Sequence, residues 1–153
     1  MFDAQAVIEL TSPSLKNLYV EEISLDKFVL EADNLESLHL KDSTVELFEL
    51  ISKGSLKHLR MDDLSIIHLD IGETSDLLEV VDVSDFKIMW QKFYQMISRA
   101  TKLRRLRLWG IVFDSEDEVM DLETITVCFP KLNHLSLSYD LRDGLLQHVL
   151  RGS

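Results

Sequence analysis

The chain has 153 residues, 46% of them hydrophobic and 28% charged, with a formal net charge of −11. That length suits one domain with a sizeable core, and the balance is neither that of a disordered chain nor that of a membrane-embedded one. An acidic chain is also a poor general partner for nucleic acid, because phosphate contacts need positive charge. The opening "MFDAQAVIEL" has no basic n-region and no true h-region, so no signal peptide is expected. No later run approaches the roughly 18 apolar residues of a membrane-crossing helix, so no membrane partner is expected. Cys128 is the single cysteine and no N-glycosylation sequon occurs. A reducing intracellular compartment, cytoplasm or nucleus, fits that usage.

From Leu15 onward apolar residues recur at positions i, i+3 and i+5. The triplets are Leu15, Leu18, Val20; Leu35, Leu38, Leu40; Leu56, Leu59, Met61; Leu78, Val81, Val83; Leu103, Leu106, Leu108; and Leu132, Leu135, Leu137. Their starts are 20, 21, 22, 25 and 29 residues apart. Such spacing is the leucine-rich-repeat pattern, although the usual Asn or Cys further along each repeat is missing. Positions i+3 and i+5 share one side of a short strand. One strand per coil then stacks into a parallel sheet whose Leu side no single repeat could bury alone.

Between the first triplets runs a second ladder: Leu25, Phe28, Leu30; Val45, Phe48, Leu50; and Ile66, Leu69, Ile71. These coils are too short for a strand, a long helix and two loops, so their return sides are predicted as short extended segments. "TVELFELISKG" is ambiguous, since it also suits a short helix ended by Gly54. The later coils leave room for helices. "KIMWQKFYQMISRA" (87–100) puts Ile88, Trp90, Phe93, Tyr94, Met96 and Ile97 on a mostly helical apolar face. "SEDEVMDLETITVCF" begins with Ser115 and Glu118 at capping-box spacing. "RDGLLQHVLRGS" resembles the start of another coil's helix. The expected fold is therefore an α/β leucine-rich-repeat solenoid with a parallel sheet, built from tight β-rich coils in the N-terminal half and β/α coils in the C-terminal half. It forms one domain over 1–153. With no polar capping unit recognisable at either end, it is expected to be a fragment of a longer array or to have its ends covered by a partner.

Three columns of outward positions follow from this register. The first holds Asn17, Ser37, His58, Val80, Arg105 and His134; the second Tyr19, His39, Arg60, Asp82, Arg107 and Ser136; the third Glu21, Lys41, Asp62, Ser84, Trp109 and Ser138. Tyr19, His39, His58, Arg60, Asp82, Arg105, Arg107, Trp109 and His134 are the candidate partner-binding residues, because aromatic and Arg side chains anchor interfaces. An ordinary solvated sheet face is the competing reading. Arg105 and Arg107 could grip a carboxylate or phosphate together, but pairing of Arg107 with Asp82 on the adjoining strand is favoured over that. His39 and His58 lie on adjacent coils, yet no acid or cysteine completes the roughly four ligands of a zinc site. No metal and no cofactor are expected. Phosphate-loop, dinucleotide, nucleophile-elbow and zinc-protease motifs are all missing, so no catalytic residue is named and no enzyme activity is expected. Charge is uneven: residues 87–107 carry 7 basic and no acidic side chains, whereas residues 1–86 carry 6 basic and 19 acidic. Lys87, Lys92, Arg99 and Lys102 fall on or just after the helix side, and Arg105 and Arg107 on the sheet side. They form no single stripe, and no nucleic-acid partner is expected.

The stretch "SPSLKNLYVEEISLDKFVLEADNLESLHLKDSTVELFELISKGSLKHLRMDDLSIIHLDI", with "WQKFYQMISRATKLRRLRLW" and "LNHLSLSYDLRDG", closely resembles the repeat region of plant F-box/leucine-rich-repeat proteins. The resemblance implies a repeat domain that presents a protein substrate to a cullin ubiquitin ligase. It carries over no catalytic residue. In that family an N-terminal F-box helix bundle holds a Skp1-type adaptor. Here the first residues already enter the repeats and no F-box is found. Adaptor binding is expected only if an F-box lies upstream in the natural chain. The alternative is a truncated or orphan repeat fragment with a structural role or no independent one.

Overall fold

Residues 6–72, 74–113, 125–141 and 147–152 are described by a computed structural model. The i+3 and i+5 positions of every triplet lie in strands of one ladder: β2 (Asn17–Glu21), the first halves of β4 (Ser37–Ile51) and β5 (His58–Asp70), β6 (Val80–Ser84), β8 (Arg105–Phe113) and β9 (His134–Leu141). All pair in parallel. Leu18 stands opposite Leu38, Leu38 opposite Leu59, Leu59 opposite Val81, Val81 opposite Leu106, and Leu106 opposite Leu135. This apolar column is the spine of the core. Leu38, Leu59, Val81 and Leu106 are all buried.

The second ladder is also real. β1 (Val7–Thr11), β3 (Ser24–Glu31) and the second halves of β4 and β5 stack so that Ile8, Phe28, Phe48 and Leu69 form one column. "TVELFELISKG" is thus mostly strand. A helix there would break the stacking of Phe48 on Phe28, whose rings lie 5.3 Å apart, and would strand the backbone of both neighbouring coils without partners. The sheet order is β1-β3-β4-β5-β6-β8-β9-β10, with β2 on β4 and β7 on β8, where β7 is Ile88–Met89 and β10 is Gln147–Gly152. The result is a parallel β-solenoid of about five turns with few helices, tight in the N-terminal half and β/α in the C-terminal half.

At one corner of successive coils stand Glu22, Asp42, Asp63 and Asp85, with φ of 57°, 48°, 52° and 53°. The left-handed region lets the strand turn sharply, and Asp is among the few non-Gly residues that adopt it at modest cost. Gly110, φ 93°, takes the same corner in the next coil.

In the coil after β6, Ile88–Met89 is a two-residue strand, β7, beside β8, and helix α1 occupies Trp90–Ile97. Of the predicted helical face, the helix buries Trp90, Phe93 and Ile97 and leaves Tyr94 and Met96 half-buried, whereas Ile88 lies ahead of it in β7, paired with Ile111 of β8. A short helix, α2, covers Ile125–Cys128. The Ser115 and Glu118 capping box lies outside the described residues. One expectation is corrected. Gln147–Gly152, read as part of a further helix, is strand β10, antiparallel to β9. A helix so short is marginal on its own, whereas the free edge of β9 offers a ready row of backbone partners.

Candidate functional site

The outward face of the first ladder carries the candidate residues, and backbone register aligns them in the columns read from the sequence. Asn17, Ser37, His58, Val80, Arg105 and His134 follow one another strand by strand, as do Tyr19, His39, Arg60, Asp82, Arg107 and Ser136. In the third column Glu21, Lys41, Asp62 and Ser84 are in register, and Trp109 stands opposite Ser138.

Side chains on this face hold one another in two clusters. The first centres on Asp62. Its Oδ2 accepts a hydrogen bond from Arg60 Nε at 3.0 Å and lies 2.8 Å from His39 Nε2, while Ser84 Oγ donates to Oδ1 at 2.5 Å. The Asp62 side chain is only 13% exposed. Burial opposes its ionisation, but the Ser84 hydroxyl, the His39 ring and the Arg60 guanidinium outweigh that and hold the carboxyl below its usual range. The Tyr19 ring meets His39 edge-on, with centroids 4.8 Å apart. Its hydroxyl donates to Glu21 Oε2 at 2.8 Å, and that hydrogen bond to a carboxylate raises the phenol pKa.

The second cluster runs across β6, β8 and β9. Arg107 Nη1 donates to Asp82 Oδ1 at 3.0 Å, the cross-strand pair favoured from the sequence. The guanidinium lies over the Trp109 ring, 4.7 Å from its centroid. Trp109 Nε1 in turn donates to Ser136 Oγ at 3.0 Å. Arg107 is therefore already engaged and forms no ready two-guanidinium clamp with Arg105. His58, Arg105 and His134 make no side-chain hydrogen bond or ion pair among the described residues; Arg105 is exposed and His134 half-buried.

His39 and His58 belong to different columns, and His39 is committed to Asp62. Among the described residues no group of three or more His, Cys, Asp or Glu side chains is disposed to hold a metal ion. Cys128 is half-buried on the return side, 2.8 Å from the Tyr94 hydroxyl. Among the described residues no helix is long and apolar enough to cross a membrane.

Sequence reasoning placed Asp62, Ser84 and Ser136 in the columns but passed them over as site residues. Asp62 is the hub of its cluster. The signal was available in the diagonal relation between His39 on one strand and position 62 on the next, two residues beyond Arg60.

No protein-family model matches the chain. No solved structure matches it. Among curated proteins, an F-box/LRR-repeat protein of Arabidopsis thaliana is 60% identical over 153 residues, the whole of this chain. The chain spans 36% of that relative's length. The chain, whose triplets build a stacked solenoid, is thus similar over its whole length to a plant F-box/LRR-repeat protein.

Proposed function

We propose that this chain is the substrate-recognition part of an SCF-type E3 ubiquitin ligase receptor, and that a protein substrate docks on the outward ladder face. The solenoid and the relative's name support a non-catalytic protein-interaction repeat domain as the coarser statement. The observation that carries the finer one is the pre-ordered face. Tyr19, Arg60, Arg107 and Trp109 are the residue types that anchor interfaces. Hydrogen bonds, ion pairs and ring contacts to Glu21, His39, Asp62, Asp82 and Ser136 already hold them in place. Binding then orders few additional side chains, which removes part of its entropic cost. A Skp1-type adaptor joins only through an F-box elsewhere in the natural chain, and the role belongs in the cytoplasm or nucleus.

The test is to affinity-purify the endogenous protein from plant tissue and record its intact mass with its co-purifying proteins. A longer chain accompanied by a Skp1-type adaptor and a cullin is expected. A 17.7 kDa chain with neither overturns the ligase reading and leaves a free-standing repeat fragment. In the longer chain, Arg107→Glu with Trp109→Ala is expected to release the substrate while the adaptor stays bound. Retention of every partner would move the contact surface elsewhere.

A further inference from the structure

β5 has two neighbours over only part of its length. On one side β4 follows it from Ser37↔His58 to Glu49↔Asp70. On the other side β6 pairs only with His58–Asp62. Beyond the Asp63 corner, residues 63–70 have no strand on that second side among the described residues. The cause lies in the next coil. Val83 stands opposite Leu108, yet Ile88 stands opposite Ile111, so two extra residues are taken up on the β6–β7 side between these pairs. They draw Phe86–Met89 against β8 rather than against β5. Gly110 on β8 turns there at φ 93°, a backbone conformation that side-chain-bearing residues rarely adopt. The chain then enters α1 rather than continuing as a return strand.

The result is an open strand edge within the sheet, bordering a groove of about 750 Å³. One wall is Ile66–Asp70 of β5. The other is Phe86–Met89 with Lys92, Gln95 and Met96 of α1. Ile67 is 68% exposed. Lys87 and Lys92 are exposed and make no ion pair among the described residues. Among the described residues that line the groove the one carboxylate is Asp70, which accepts a hydrogen bond from Gly72 N at 2.7 Å.

We infer that this groove binds an extended protein segment by strand addition to the free edge of β5, and that the segment carries acidic side chains with apolar ones between them. Two requirements select that occupant. The second side of residues 63–70, without a strand among the described residues, calls for another extended backbone, as a peptide supplies when it adds to a sheet edge. The walls combine Ile67, Met89 and Met96 with two lysines, so side chains that alternate along the added strand meet apolar surface on one side and positive charge on the other. This groove lies on the return side of the coils, and its occupancy does not depend on the ladder face.

The probe is a fluorescently labelled peptide of about six residues alternating valine and glutamate, ~20 Å long when extended. Binding to the full chain is read by anisotropy at low salt and by amide hydrogen exchange. The peptide is expected to bind and to slow exchange within residues 63–70. Lys87→Glu with Lys92→Glu is expected to weaken it by about tenfold or more, whereas Lys131→Glu, outside the groove, leaves it unchanged. The same peptide N-methylated at alternate residues, which removes strand donors, is expected not to bind. The inference is overturned by no binding, by equal binding of the N-methylated peptide, by equal binding of a valine–lysine peptide, or by protection confined to other strands.

Discussion

At the scale of single residues, two neighbouring aspartates on β5 do opposite things. Asp62 is held by three donors and its carboxyl lies below the ordinary range. Asp62→Asn loses the ion pair to Arg60 and weakens the contact to His39, and is expected to cost about 1–3 kcal/mol in urea unfolding at pH 7. The sign of the pH dependence follows from the lowered value. Relative to an unfolded carboxyl near about 3.9, the contribution is complete above that pH and lost as pH falls through the folded value. The difference between wild type and variant should therefore begin to narrow below about pH 4 and close as pH falls through the folded value. Asp63 is the reverse case. Its hydrogen bond to Asp42, then burial, then the charges of Asp42 and Asp85 raise its pKa. A raised carboxyl destabilises the fold when ionised, so the penalty is present at neutral pH and relieved as pH falls through the folded value. Asp63→Asn is expected to raise the melting temperature, most at low salt, and Asn also suits the left-handed corner. A fall in melting temperature at low salt would show that repulsion at this corner is negligible.

At the scale of elements, each strand is fixed by the column it joins. Leu59 lies between Leu38 and Val81 and is 1% exposed. Leu59→Ala removes apolar volume from the middle of that column and is expected to lower stability by about 2–5 kcal/mol in urea melts. The outward neighbour His58, exposed and without a side-chain bond among the described residues, is expected to change stability by less than about 0.5 kcal/mol on replacement by Ala. Gly110 sits at a corner that disfavours any side chain. Gly110→Ala must adopt φ 93°, which side-chain-bearing residues rarely do. A loss of about 1–3 kcal/mol is expected, with faster amide exchange in β7 and α1 as the local reading.

At the scale of the whole molecule, negative charge is stacked along the coils that form the N-terminal half. The corner acids repeat from coil to coil, and the overall charge is −11. Self-repulsion of this kind opposes compaction and is screened within about 10 Å at 0.1 M salt. Raising sodium chloride from low concentration to about 0.15 M is expected to raise the melting temperature. A melting temperature flat or falling over that range would mean that cross-strand ion pairs outweigh the repulsion. Positive charge is distributed over separate surfaces. Arg105 and Arg107 stand on the ladder face, Lys87 and Lys92 on the return-side groove, and Arg99 is paired with Asp76 at 3.5 Å.

The sequence by itself determined the ladder, its register and the three outward columns. A strand's side chains alternate with period two, and a Leu moved to the wrong side would leave the core, so the triplets admit one alignment. It also determined the apolar face of α1, because Trp90, Phe93 and Ile97 recur at helical spacing. Only the tertiary structure decided the rest. "TVELFELISKG" is short enough to suit helix or strand, and the columns of neighbouring coils selected strand. Gln147–Gly152 became β10 because β9 offered a free edge, which no local pattern encodes. Asp62 became a hub through partners 22 and 23 residues away, Ser84 and His39. The edge of β5 left open among the described residues goes with a two-residue offset in the following coil. Backbone pairing is satisfied between segments distant in sequence, so where a partner is missing is a property of the stacked coils and not of the segment left unpaired.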